Sequence, residues 1–204
     1  HIGSFTDGNF LKNAINAKYR NIKKITLDPG HDIRHQGGSG NGINEAKATL
    51  KIAKYLKEEL EQYGGIEVQL SRGGEACPYP GTTSGQCIKE RIKTAKSYDS
   101  ELFISLHLNS GPTSANGAEV WYRSKTKEHP ERDKYTKEGG ELGRRILDEL
   151  KDLGIRDRGT KQVNLHKYSD YIVNRYSGEL GLTGLIVEHG FMTNKGDASN
   201  YLNT

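Results

Sequence analysis

The sequence has little cysteine and no long apolar run. Its two cysteines, Cys77 and Cys87, bracket CPYPGTTSGQC without any Cys-x-x-Cys spacing, which argues against a structural zinc site built on thiolates. A disulfide and two free thiols fit that spacing equally well. No apolar stretch approaches the ~20 residues needed to cross a bilayer, and no charged-then-apolar leader opens the chain. The first residues, HIGS, include no initiator Met, so an export signal removed ahead of them is compatible with the sequence. There is no internal repeat. An aromatic platform or Arg-dense stripe is also missing, which makes nucleic acid a poor candidate partner.

What is there suits one globular domain. A chain of 204 residues with 33% hydrophobic content is long enough to bury most of its apolar surface. The net charge of +4 would favour a polyanionic partner, whether nucleic acid, anionic lipid or cell-wall polymer, but the signal is weak. Lys and Arg are interspersed with acids in KYLKEELEQ and RRILDELKD, a pattern of solvated helix faces.

Along the chain, KKITLD, GIEVQLS, LFISLH, GAEVWYR and LTGLIVE read as strands. Three stretches between them read as helices. INEAKATLKIAKYLKEELEQY places Ala46, Leu50, Ala53 and Leu56 at helical spacing, and CIKERIKTAKSY is a second helix after a Gly/Pro/Ser/Thr-rich loop from Arg72 to Gln86. ELGRRILDELKDL aligns Leu142, Ile146, Leu150 and Leu153 on one stripe. Strands separated by amphipathic helices predict an α/β fold: a three-layer sandwich with a mostly parallel central sheet of about six strands.

In such sheets ligands sit outside the carboxyl ends of the strands. ITLDPGH ends in His31, FISLH ends in His107 and LIVE ends in Glu188, so parallel packing would bring all three to one edge. A single polar residue at a strand tip is more often structural than functional, but three together are harder to explain as structure. Glu45 opens the first long helix behind Asn44, a candidate N-cap, and so lies near the end of the first strand. An acid there also suits the helix dipole without any metal. Catalytic zinc takes three protein ligands drawn from His and carboxylates, and His31, His107 and one glutamate meet that count. The other glutamate is then free to act as general base. Chemistry alone does not decide between the two; proximity to His31 favours Glu45 as ligand, with Glu188 as base.

These motifs resemble a known family. LDPGH, the Glu entering GINEAKATLKIAKYLKEEL, FISLHLNS and LIVEHGFMTN are similar to the zinc-dependent N-acetylmuramoyl-L-alanine amidases of the amidase-3 type. The resemblance runs from about Lys23 to Asn194 and includes LSR, RIKTAK, GAEVWY and RDRGTK in order. It implies that His31, Glu45 and His107 bind one zinc ion and that Glu188 is catalytic. The substrate it implies is the amide between N-acetylmuramic acid and L-alanine in bacterial peptidoglycan. Such an enzyme would act on the cell wall, after secretion or, if phage-encoded, on release at lysis. A separate wall-binding domain would lie outside these residues.

Two departures stand out. Asp32 follows His31 where the family usually has Gly, and an acid there could bond a backbone amide or support the metal site. The chain also stops at NYLNT, where the family commonly continues into a terminal helix. Residues 1–22 are read as a helical extension or an added segment, with GNFLKNAINAKYRN as the helix candidate, and residues 23–204 as the catalytic domain. The Cys77–Cys87 loop could wall the cleft. His35, His129 and His166 read as surface residues, His189 as facing away from Glu188 across the sheet, and Asn109 as closing a turn rather than orienting substrate. Two other functions remain open: a zinc carboxypeptidase on the same stem peptides, and a non-catalytic wall-binding module.

Overall fold

The computed structural model describes residues 9–16, 21–62, 66–163 and 171–202. Helix α1 (Asn9–Asn16) precedes strand β1 (Lys24–Pro29), and a two-residue hairpin, β2 (Ser39–Gly40) and β3 (Ile43–Asn44), leads into α2 (Glu45–Glu61). Then come β4 (Glu67–Leu70), α3 (Ser84–Ser97), β5 (Leu102–Asn109), β6 (Ala118–Tyr122), α4 (Asp133–Asp152), β7 (Asp157–Gln162), α5 (Ile172–Glu179) and β8 (Thr183–Phe191). No helix among the described residues is long and apolar enough to cross a membrane.

The six-stranded sheet has the order β4-β1-β5-β8-β6-β7. Its first four strands are parallel, as the helical crossovers require. Strand β6 runs antiparallel to β8, and β7 is parallel to β6. The mostly parallel sheet is therefore present, with a reversal between β8 and β6.

Side-chain alternation divides the sheet into two faces. Ile25, Leu27, Ile104, Leu106, Leu185 and Val187 join the core beneath α1, α2 and α4, whereas Phe103 and Ile186 join a smaller core beneath α3 and α5. Burying Ile52, Leu56 and Leu60 of α2 contributes roughly 1.5–3 kcal/mol each. Helix α1 covers Asn9–Asn16 of the candidate GNFLKNAINAKYRN, of which residues 8 and 17–20 lie outside the described residues, and its Phe10, Leu11, Ala14 and Ile15 are part of the larger core. Helix α1 is also tied to α4 by Asn13 Nδ2 donating to Glu149 Oε2 at 2.9 Å.

Helix α3 begins at Ser84, three residues earlier than the apolar pattern suggests, because Thr83 and Gln86 form a reciprocal capping box. Cys87 in its first turn is bridged to Cys77. Closing so short a loop should contribute roughly 2–3 kcal/mol, so reductant is expected to lower Tm while leaving any bound zinc in place. Two titratable thiols in the native, non-reduced protein would contradict this.

Candidate metal centre

Strand β1 ends at Pro29, and after Gly30 comes His31 with a φ of 62°, an unusual left-handed conformation for histidine. Gly30 makes the approach possible, since a Cβ there would lie 2.5 Å from His107 Cε1 and 2.6 Å from the Leu106 carbonyl oxygen. His107 stands one β5 residue further on and is the register partner of Glu188 on β8. The two imidazoles meet edge to face with centroids 4.9 Å apart.

Glu45 joins them from the opposite layer. Asn44 caps α2 by accepting from the Lys47 amide at 3.2 Å, which fixes the helix start beside the end of β1. One Glu45 oxygen, Oε1, lies 3.0 Å from His107 Nδ1 and accepts from the Leu108 amide at 3.1 Å. The other, Oε2, lies 3.2 Å from His31 Nε2 and accepts from the Gly38 amide at 2.8 Å. Burial opposes the Glu45 charge, but the hydrogen bonds from His107 and His31 outweigh it and hold the carboxyl well below the ordinary range. His107 responds in the opposite sense. Burial works against its protonation, yet the Glu45 hydrogen bond and the Glu188 and Glu45 charges raise its pKa overall.

One donor atom from each of His31, Glu45 and His107 falls within 4.8 Å of the other two. Two imidazole nitrogens and a carboxylate oxygen form a donor set suited to a catalytic metal that keeps a position open. The only other such cluster among the described residues, Asp32 with Cys77 and Cys87, has both sulfurs committed to the disulfide.

Glu188 lines the same cavity, about 430 Å³ in volume. Its Oε2 is buried with no hydrogen-bond partner among the described residues. Burial, supported by the Glu45 and Glu119 charges and opposed by His107, pushes the carboxyl up to about 7. Leu108, Ile172, Val173 and Ile186 supply an apolar wall. No residue from 72–83 lines this cavity, whose wall comes instead from the start of α5, but Ser84 and Cys87 at the end of the disulfide loop line a smaller cavity that shares His31 and His107 with it. The residues just before Cys77 hold the segment after His31, where the Glu75 carbonyl accepts from the Ile33 amide at 2.8 Å.

Two arginines that the sequence did not single out brace the segment carrying His31. Arg72 donates to the carbonyls of Pro29 (3.1 Å), Gly30 (3.1 Å) and Ala46 (2.7 Å), joining the end of β1 to the first turn of α2. Burial and the neighbouring Arg91 charge lower its pKa to about 10, so it stays charged at neutral pH. Arg91 reaches from α3 to Asp28 Oδ1 at 3.2 Å and to the His31 carbonyl at 3.3 Å. Asp28 in turn accepts from Ser105 at 2.5 Å. Removing one member of such a buried pair costs about 3–5 kcal/mol. A signal was available in the sequence: Arg91 shares the buried stripe of Cys87, Ile92 and Ala95, where an unpaired charge would be costly.

The remaining assignments divide. Asp32 caps the loop after His31, accepting from the amides of Arg34 at 2.7 Å and His35 at 3.1 Å. His35 is half-buried with Nδ1 at 3.2 Å from Asp32, His129 is exposed, and His166 lies outside the described residues. His189 points away from the cavity, packs edge to face on Phe10 and meets the His107 carbonyl at 3.1 Å. Asn109 ends β5; its Oδ1 accepts from the Ser110 amide at 2.9 Å and its Nδ2 donates to Glu119 at 3.2 Å.

Residues 25–204 match the family model for N-acetylmuramoyl-L-alanine amidase. The chain is 30% identical to the N-acetylmuramoyl-L-alanine amidase LytC of Bacillus subtilis (strain 168), over 97% of its own length and 37% of that protein's. It is 31% identical to the N-acetylmuramoyl-L-alanine amidase CwlM of Bacillus licheniformis, over 86% and 59% respectively. It therefore spans less than two thirds of each of these two relatives. The crystal structure of an N-acetylmuramoyl-L-alanine amidase from Clostridium difficile 630 superposes with a TM-score of 0.60 at 26% identity, covering 85% of this chain and 82% of that one.

Proposed function

The chain belongs to the N-acetylmuramoyl-L-alanine amidase family, and we propose that it hydrolyses the amide joining the lactyl group of N-acetylmuramic acid to the L-alanine of the peptide stem in bacterial peptidoglycan. The observation that carries this reading is the convergence of His31, Glu45 and His107 within 4.8 Å, in a cavity that also holds Glu188, whose Oε2 has no hydrogen-bond partner among the described residues.

In this proposal His31, Glu45 and His107 hold one zinc ion. Bound there, zinc supplies Lewis acidity towards a carbonyl oxygen and towards water. Glu188 takes the proton of the attacking water and returns it to the nitrogen of the departing L-alanine, so one carboxylate serves as base and then as acid. A carboxyl raised to about 7 suits both directions near neutral pH. Arg72 and Arg91 keep His31 in its left-handed conformation through the carbonyls around it. The apolar wall from α5 and β8 excludes water from the reacting amide. The site of action is the bacterial wall, reached by secretion or at phage-mediated lysis. The greater length of LytC and CwlM leaves room for a separate wall-binding domain in proteins of this kind.

Digestion of purified peptidoglycan by the zinc-loaded chain tests the reading. New muramic acid lactyl carboxylates and new N-terminal alanines are expected in equal amounts. Release of free amino acids would identify a carboxypeptidase instead, and binding without products would identify a wall-binding module.

A further inference from the structure

A second cavity, about 260 Å³ in volume, lies away from the metal centre. Arg123 follows the last residue of β6, which runs antiparallel to β8, and Tyr122 pairs with Leu185, three residues before Glu188. Arg123 therefore stands towards the sheet edge opposite the one that carries His31, His107 and Glu188. The cavity is walled by Arg123, by the 126–132 segment and by Arg175 and Glu179 of α5.

Arg123 is only 4% exposed, and its Nε is buried with no hydrogen-bond partner among the described residues. The side chain is pressed against α5, since a Cβ on Gly178 would come within 2.7 Å of Arg123 Cδ. Swinging out to solvent is not an easy escape for this charge. Thr126 Oγ1, on the same wall, is also buried with no hydrogen-bond partner among the described residues. The nearby acids are largely committed elsewhere. Glu179 Oε1 accepts from Arg175 Nη1 at 2.9 Å, and Glu131 lies 3.4 Å from Arg132 Nε and 3.2 Å from His129 Nδ1. Glu128 is exposed at the rim. Burial, reinforced by the Arg132 charge, lowers the Arg123 pKa, although Glu179, Asp133 and Glu131 offset part of this.

A desolvated guanidinium whose Nε makes no hydrogen bond among the described residues, beside a second guanidinium, is an unfavourable arrangement that an oxyanion between the two would relieve. A carboxylate offers a planar pair of oxygens. A phosphate presents tetrahedral oxygens and up to two charges, which better suits two guanidinium groups and a hydroxyl on different walls. We propose that this cavity binds a phosphate group, free or as an ester, through Arg123, Arg132 and the Thr126 hydroxyl. The site is independent of the amidase reading, and neither result bears on the other.

Calorimetric titration of the full chain with inorganic phosphate and with glycerol 3-phosphate tests this. Saturable binding in the millimolar range is expected, weakened about tenfold in Arg123→Gln, as loss of a charge-assisted bond implies. Because Arg123 is buried and its substitution can disturb folding, Arg132→Gln is the second variant and should weaken binding similarly. Lys51→Gln, exposed on α2, removes the same net charge and should leave affinity unchanged. Tighter binding of the ester would identify a phosphate ester as the natural ligand, and tighter binding of the inorganic ion would identify free phosphate. Absence of saturation with either anion, or equal weakening by Arg132→Gln and Lys51→Gln, would overturn the proposal.

Discussion

Glu188→Gln is expected to retain zinc and fold while turnover on peptidoglycan falls by at least ~10². The substitution preserves size and shape, and Glu188 is not among the three clustered donors, so metal content should stay near that of the parent. What is lost is the oxygen able to take a proton. The same change should affect stability in a way that a purely structural residue would not. In the metal-free chain the Glu188 carboxyl is raised from 4.5 to about 7. Between those values the folded state binds more protons than the unfolded state, so this group's contribution to stability falls as pH rises. Above pH 7 the full penalty of the buried charge is present, on the order of 3 kcal/mol. Metal-free Glu188→Gln should therefore be more stable than the parent at pH 8 and about equal to it at pH 4. Denaturant titration of chelator-treated protein at the two pH values measures this, and metal analysis with turnover measures the rest. Zinc loss in this variant would remove Glu188 from the base role.

The contrast between Glu188 and its surroundings also shows how far the sequence could be read. Strands such as LFISLH are apolar because both faces of a parallel strand are covered, so a polar residue at their tips is conspicuous. His31, His107 and Glu188 could be found in this way, and Glu45 through its place at the start of a patterned helix. Strand β7 could not, because DRGTKQ forms a half-exposed edge strand with no apolar residue to reveal its period. Helix α5 is eight residues long, contains Gly and Ser, and has no side-chain cap, yet its Ile172 and Val173 form part of the cavity wall. The reversal of β6 against β8 was equally hidden, since a strand's direction leaves no mark on its alternation. Arg72 and Arg91 show a different limit. Their distant partners are mostly backbone carbonyls 26 to 62 residues away, a pairing that only the folded chain defines.

Glu45→Gln should fail in the opposite manner from Glu188→Gln. Both Glu45 oxygens accept hydrogen bonds from backbone amides, Leu108 N on one side and Gly38 N on the other, while also facing the two imidazoles. A glutamine can satisfy only one of those amides, because its NH₂ would confront the other as donor against donor. It also replaces an anionic ligand with a poor neutral one. Zinc affinity is therefore expected to fall by at least ~10², with activity partly restored by excess zinc. His107→Ala, which removes an imidazole outright, should lose zinc and activity together without such rescue. Equilibrium competition against a chromogenic chelator gives the affinities, and turnover measured across a zinc series gives the rescue. If Glu45→Gln held zinc as tightly as the parent while Glu188→Gln lost it, the two glutamates would have exchanged roles. The metal would then be held across β5 and β8, and Glu45 would serve only to orient the imidazoles it touches.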